Sequence, residues 1–214
     1  MTEQASPSVV TWRKAVDNST SQYYIASWLF IRVIALVYLV AFLSLSVQIT
    51  GLVGANGILP VADLLQYAQQ VSGVEARLHI PTLLWYNASD TALLTLCYAG
   101  VAFSVLLFFG RLEFFASIFL FILYLSLFYA GQIFLRFQWD TLLLEAGFLT
   151  ILLVRGYHGI VIFLFHWLLF RLRFLSGVSK LEDPSWISLG SLNYYFETQP
   201  LPHIGAWYFH QLPE

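Results

Sequence analysis

R-F-Q-W-D-T-L-L-L-E-A-G, Arg136 to Gly147, places three ionisable side chains at or inside the edge of long apolar runs. An ionised group inside a membrane span costs about 2.5–3.5 kcal/mol on insertion scales, so Arg136, Asp140 and Glu145 must gain something by staying there. A helix over 138–154 puts Gln138, Thr141 and Glu145 on one face, while Asp140 points away with Leu144 and Gly147. Two polar faces imply two separate sets of partners.

Outward from that stretch the chain is apolar. It has 214 residues, 59% hydrophobic and 18% aromatic, with only 10% charged, against about 25% charged in an ordinary soluble domain. This composition predicts an integral membrane protein. The formal net charge of −2 is small and dispersed and offers no surface for nucleic acid. The single cysteine, Cys97, lies in an apolar run, which excludes an intrachain disulfide and a cysteine zinc cluster; it reads as a small buried hydrophobe.

Residues 1–22 are polar and lack the apolar core and small-residue cleavage site of a signal peptide, so the first span is expected to do the targeting. That span runs from about Tyr23 to Ile49, and Arg32 inside it either snorkels to the near interface or turns inward to a carboxylate. Glycines at 51, 54 and 57 and Pro60 then break the helix. Val61, Leu64, Leu65 and Ala68 recur at helical spacing among polar residues and predict a surface helix in the first loop. Spans follow over Thr91–Phe109 and Phe114–Phe134, joined by so short a turn at Gly110–Glu113 that they must form an antiparallel hairpin. Two shorter apolar runs, Trp139–Val154 and Ile160–Leu175, carry the charges. Lys and Arg are spread over both sides, so charge does not fix orientation.

The fifth run continues as H-W-L-L-F-R-L-R-F-L-S-G-V-S-K-L, where His166, Arg173 and Lys180 share a stripe and Arg171 faces elsewhere with Trp167 and Phe174. These cations are either interfacial anchors or partners of Asp140 or Glu145. A lysine in apolar surroundings can also act as a base, though its spacing alone does not require it. The five histidines form no metal pattern, and no nucleophile elbow or glycine-rich phosphate loop is present.

Five blocks in order resemble the lipase maturation factor family: F-L-S-L-S-V-Q-I-T-G-L-V-G-A-N-G-I-L-P (Phe42–Pro60), F-L-R-F-Q-W-D-T-L-L-L-E-A-G-F (Phe134–Phe148), W-L-L-F-R-L-R-F-L-S-G-V-S-K-L (Trp167–Leu181), Y-Y-F-E-T-Q-P-L-P (Tyr194–Pro202) and W-Y-F-H-Q-L-P (Trp207–Pro213). The resemblance implies an all-α protein of about five spans with a cytosolic N-terminus. The first long loop, the third-to-fourth connection and the C-terminal part then face the lumen of the endoplasmic reticulum; in a bacterium the membrane would be the plasma membrane. It also implies a non-enzymatic role in folding and assembly of secreted clients such as lipases, with the lipid bilayer as the other partner and no cofactor.

The organisation expected is a polar segment over 1–22, a membrane domain over 23–181 and an aromatic interfacial tail over 182–214 leading into a further C-terminal domain. Family signature positions are Gln138, Trp139, Gly177, Trp186, Tyr195, Glu197, Pro200, Trp207 and His210, beside a charge network of Arg136, Asp140, Glu145, Arg171, Arg173 and Lys180. A shorter stretch, F-L-S-G-V-S-K-L-E-D-P-S-W (Phe174–Trp186), is similar to the vitamin K-dependent gamma-carboxylase family. That likeness would make Lys180 a desolvated base acting on a lipid-phase substrate.

Overall fold

The structure, a computed structural model, describes residues 23–156, 158–188, 190–198 and 204–210, with His158, Asn193, Ile204, Phe209 and His210 described by backbone alone. Every regular element among them is helical. They fall into two compact units, Met1–Ile162 and Phe163–Glu214.

The first unit begins with α1 (Tyr24–Val53), whose 30 residues at about 1.5 Å each exceed a hydrocarbon core of about 30 Å. Gly51 does not break it, and the helix stops at Gly54 instead. The first loop folds into α2 (Val61–Ser72) and a single turn, α3 (Ala76–His79). In α2, Val61 and Leu65 are buried while Asp63, Gln66 and Gln69 are exposed, which is the one-sided helix the apolar spacing predicts.

A hairpin of α4 (Asp90–Phe108) and α5 (Glu113–Ala130) follows, and then α6 (Gln138–Val154). The hairpin turn needs two left-handed residues, Gly110 at φ 71 and Leu112 at φ 52. A Cβ on Gly110 would also lie 2.7 Å from the Arg32 guanidinium, so glycine serves both the turn and the contact. The third span ends at Ala130, four residues earlier than its hydropathy suggests. The backbone turns at Gly131 into a short 3₁₀ segment, Gln132–Leu135, entered through a positive φ of 49 at Gln132.

Hydrogen bonds tie the first loop to the helix ends on its side of the membrane. Gln132 Nε2 donates to the Leu59 carbonyl at 3.0 Å, Thr82 Oγ1 to the Ser126 carbonyl at 3.1 Å, and the Ala55 amide to Asp90 Oδ1 at 2.8 Å. These bonds define a loop side, opposite the hairpin side of Gly110–Glu113.

In the second unit, most of α7 (His158–Leu181) precedes α8 (Pro184–Ile187), α9 (Gly190–Thr198) and α10 (Ile204–His210). Helix α7 has 24 residues and runs through Arg171, Arg173 and Gly177, well past the apolar run that ends at Leu175. It stops where Pro184 forces the preceding Asp183 into an extended conformation, φ −101 and ψ 112. Asp183 then caps α8: its carboxylate accepts from the Ser185 hydroxyl at 2.7 Å and the Ser185 amide at 2.9 Å, bonds that hold its pKa below the ordinary value.

Four helices among the described residues are long and apolar enough to cross a membrane: α1, α4, α5 and the Gly159–Leu181 part of α7. With 17 residues, α6 spans about 26 Å, just short of the hydrocarbon core.

Candidate functional site: a polar junction under an aromatic cluster

On the loop side of the first unit, the opening stretch meets the core. Tyr38, Phe42 and Tyr124 form a contiguous aromatic cluster, with Tyr38 stacked on Phe42 at 6.1 Å between ring centroids and Tyr124 edge-on to both, at 5.7 and 5.5 Å. All three are almost completely buried. Two of them carry hydroxyls, and a buried tyrosine hydroxyl needs a partner. Tyr38 donates to the Leu143 carbonyl at 3.2 Å and Tyr124 to Asp140 Oδ1 at 2.6 Å. One aromatic cluster thus bonds α1 and α5 to successive turns of α6.

The Tyr38 bond depends on a glycine. Leu143 and Gly147 are one helical turn apart, and a Cβ at Gly147 would collide with the Tyr38 hydroxyl. Without that Cβ, α1 comes close enough for its tyrosine to reach a main-chain carbonyl of α6. Gly100 plays the same part for Phe42, whose ring occupies the place a Cβ would take.

Asp140 is 5% exposed. Its Oδ1 accepts from the Tyr124 hydroxyl, whereas Oδ2 is buried with no hydrogen-bond partner among the described residues. A carboxylate offers about four acceptor sites, so this one is under-used. Asp140, Leu144 and Gly147 do form the buried face of α6, and Gln138 and Thr141 are exposed on another, with Glu145 half-buried. The two faces expected from the sequence are therefore present.

On the hairpin side Arg32 turns inward. Its Nη2 meets Glu113 Oε1 at 2.8 Å, its Nη1 donates to the Leu107 carbonyl at 3.1 Å, and its guanidinium lies 5.3 Å from the Trp28 ring centre. Glu113 stands in the first turn of α5 and the accepting carbonyl in the last turn of α4, where helix dipoles favour an anion and a cation respectively. Arg155, just past α6, lies over the Phe114 ring at 4.0 Å.

The remaining expected residues are spread out. Arg136 is exposed beside the start of α6, and Trp139, 66% exposed, stacks on Phe137 at 4.8 Å. In the second unit Arg171, Arg173, Gly177 and Lys180 are exposed, and Lys180 Nζ lies 4.7 Å from the ring centre of half-buried Trp186. A desolvated base at Lys180 finds no support in this setting. Tyr195, Glu197 and Trp207 are exposed. Pro200 lies outside the described residues, as does the side chain of His210. Tyr38, Phe42 and Tyr124 were not singled out by sequence. The signal was there in two tyrosines within strongly apolar spans, whose hydroxyls needed partners.

Among the described residues, four helices long and apolar enough to cross a membrane define a polytopic α-helical membrane protein. Residues 25–214 match the family model described as the lipase maturation factor transmembrane domain. Lipase maturation factor 2 of Mus musculus is 42% identical over 213 residues, covering 86% of this chain and 30% of the relative; that of Xenopus laevis is 40% identical over 198 residues, covering 83% and 28%. Lipase maturation factor 1 of Mus musculus is 32% identical over 218 residues, covering 91% and 37%. The chain belongs to the lipase maturation factor family. It spans 28–37% of the length of these curated relatives. No solved structure matches it, and the carboxylase likeness around Lys180 has no counterpart among these matches.

Proposed function

We propose that this chain is a membrane domain that assists maturation of secreted proteins such as lipases without catalysing a reaction itself. Its place would be the endoplasmic reticulum membrane in a eukaryote, with the loop side lumenal, or the plasma membrane in a bacterium. The observation that carries this reading, beside the family membership, is the tail of the second unit. There α9 packs against α8 and α10 and leaves Tyr194, Tyr195, Trp207 and Tyr208 between 50% and 70% exposed. Exposed aromatics offer apolar area with few rotamers to freeze, which suits holding apolar surface of an unfinished client. Within the first unit, the bond of Asp140 to Tyr124 would steady the membrane part.

The reading is tested in secretory cells that lack lipase maturation factors of their own and express a secreted lipase with the chain. Replacing Tyr194, Tyr195 and Trp207 together by serine is expected to lower secreted lipase activity per unit lipase several-fold, towards the level without the chain, at unchanged chain abundance. Activity equal to that obtained with the unaltered chain would overturn the proposal.

A further inference from the structure

Between the outward face of α1 and the start of α6, wholly within the first unit, runs an open groove of about 650 Å³, a volume typical of small-ligand sites. Val37, Val40 and Trp139 along it are 46%, 66% and 66% exposed. In a chain whose long helices cross a membrane, such walls face hydrocarbon, so a lipid chain fits the length of the groove. Its polar end decides which lipid. Ser44 and Gln48 line it on α1, with Gln48 Nε2 already donating to the Ser44 carbonyl and hydroxyl, and Asp140 lines it on α6.

Asp140 is the informative residue because it is buried, carries an acceptor oxygen without a partner, and borders the groove. Oδ2 is closed off in this structure, and rotation about the broad terminal torsion of the carboxylate is what turns it to the groove while Oδ1 still accepts from the Tyr124 hydroxyl. Among the described residues no lysine or arginine lines the groove, and the cation beside it in sequence, Arg136 between lining Leu135 and Phe137, is exposed. A phosphate headgroup would meet a carboxylate with no cation among the lining residues, whereas a hydroxyl would supply the donor that Asp140 Oδ2 lacks. We infer that the groove binds a neutral lipid bearing a free hydroxyl, its O–H donated to Asp140 and its chain laid along α1. This site stands on the geometry of the first unit and is independent of the client-holding role.

The test is photocrosslinking of the purified chain in phosphatidylcholine nanodiscs with a diazirine-bearing diacylglycerol, mapping the labelled peptides. Labelling is expected within 33–52 and 134–143. Dioleoylglycerol or cholesterol should compete about tenfold better than the 3-O-methyl ether of dioleoylglycerol, which lacks the donor. Val40→Trp, which fills the groove without touching the acceptor, should abolish labelling while the protein stays monodisperse. Tyr124→Phe combined with Asp140→Leu removes donor and acceptor together and should equalise the two glycerides. Equal competition by the ether in the unaltered chain, or undiminished labelling of Val40→Trp, would overturn the site and show a bulk-lipid surface instead.

Discussion

On the hairpin side, Arg32 reaches Glu113 at 2.8 Å and also donates to the Leu107 carbonyl, whereas on the loop side Asp140 receives the Tyr124 hydroxyl at 2.6 Å and keeps one oxygen without a partner among the described residues. Both belong to apolar helices, Arg32 in the first half of α1 and Asp140 in the first turn of α6. The first is compensated by an opposite charge, by helix ends of the right polarity and by an aromatic face, and it is partly open to solvent, with 14% and 30% of its two side chains exposed. The second is more deeply buried and less well satisfied. A charge paired with an opposite one fastens helices together; one with buried acceptor capacity to spare does that and remains open to something else. The difference separates a structural staple from a candidate site.

The comparison breaks most readily at the glycines that let the loop-side cluster form. Gly147→Val drives a branched side chain into the Tyr38 hydroxyl and should cost about 3 kcal/mol or prevent folding, because overpacked cores lose roughly 1–3 kcal/mol and sometimes more. Gly51→Ala, where an added Cβ meets nothing within 4 Å, is the control and should be neutral or gain about 0.5–1 kcal/mol. Thermal midpoints of the detergent-purified variants read both. The hairpin side should yield less. Glu113→Gln removes the anion but keeps an acceptor for Arg32, and a loss of about 1–2 kcal/mol is expected, between the values for exposed and buried pairs. A drop in midpoint equal to that of Gly147→Val would mean that the ion pair, not the aromatic cluster, dominates the packing of the first unit.

Much of this architecture was legible in the chain because it is local. Helical spacing over 138–154 sets Asp140, Leu144 and Gly147 on a different face from Gln138, Thr141 and Glu145, and the short turn at Gly110–Glu113 makes the hairpin unavoidable. Where hydropathy alone set the boundary it went astray: Ile133 and Phe134 read as span, but Gly131 and the positive φ of Gln132 end the helix first. At α7 the opposite happened: the apolar run ends at Leu175, but the helix continues to Leu181, just ahead of Pro184. The partners were the part that could not be read. Nothing near Asp140 in sequence identifies Tyr124, sixteen residues away on another helix, and Arg32 had two open choices until the hairpin brought Glu113 beside it. Lys180 shows the converse, a short likeness to a catalytic stretch that no match to the chain as a whole supports.

The central claim is that the Tyr124–Asp140 hydrogen bond joins α5 to α6 as an energetic unit. It is tested most directly by a double-mutant cycle of Tyr124→Phe and Asp140→Ala, read as unfolding free energy in mixed micelles. Hydrogen bonds between membrane helices couple by about 0.6 kcal/mol on average and up to about 1.7 kcal/mol. The buried 2.6 Å contact should fall in the upper half of that range, with the double variant losing about 1 kcal/mol less than the sum of the single losses. Additivity within about 0.3 kcal/mol would contradict it, since residues acting independently add to that precision.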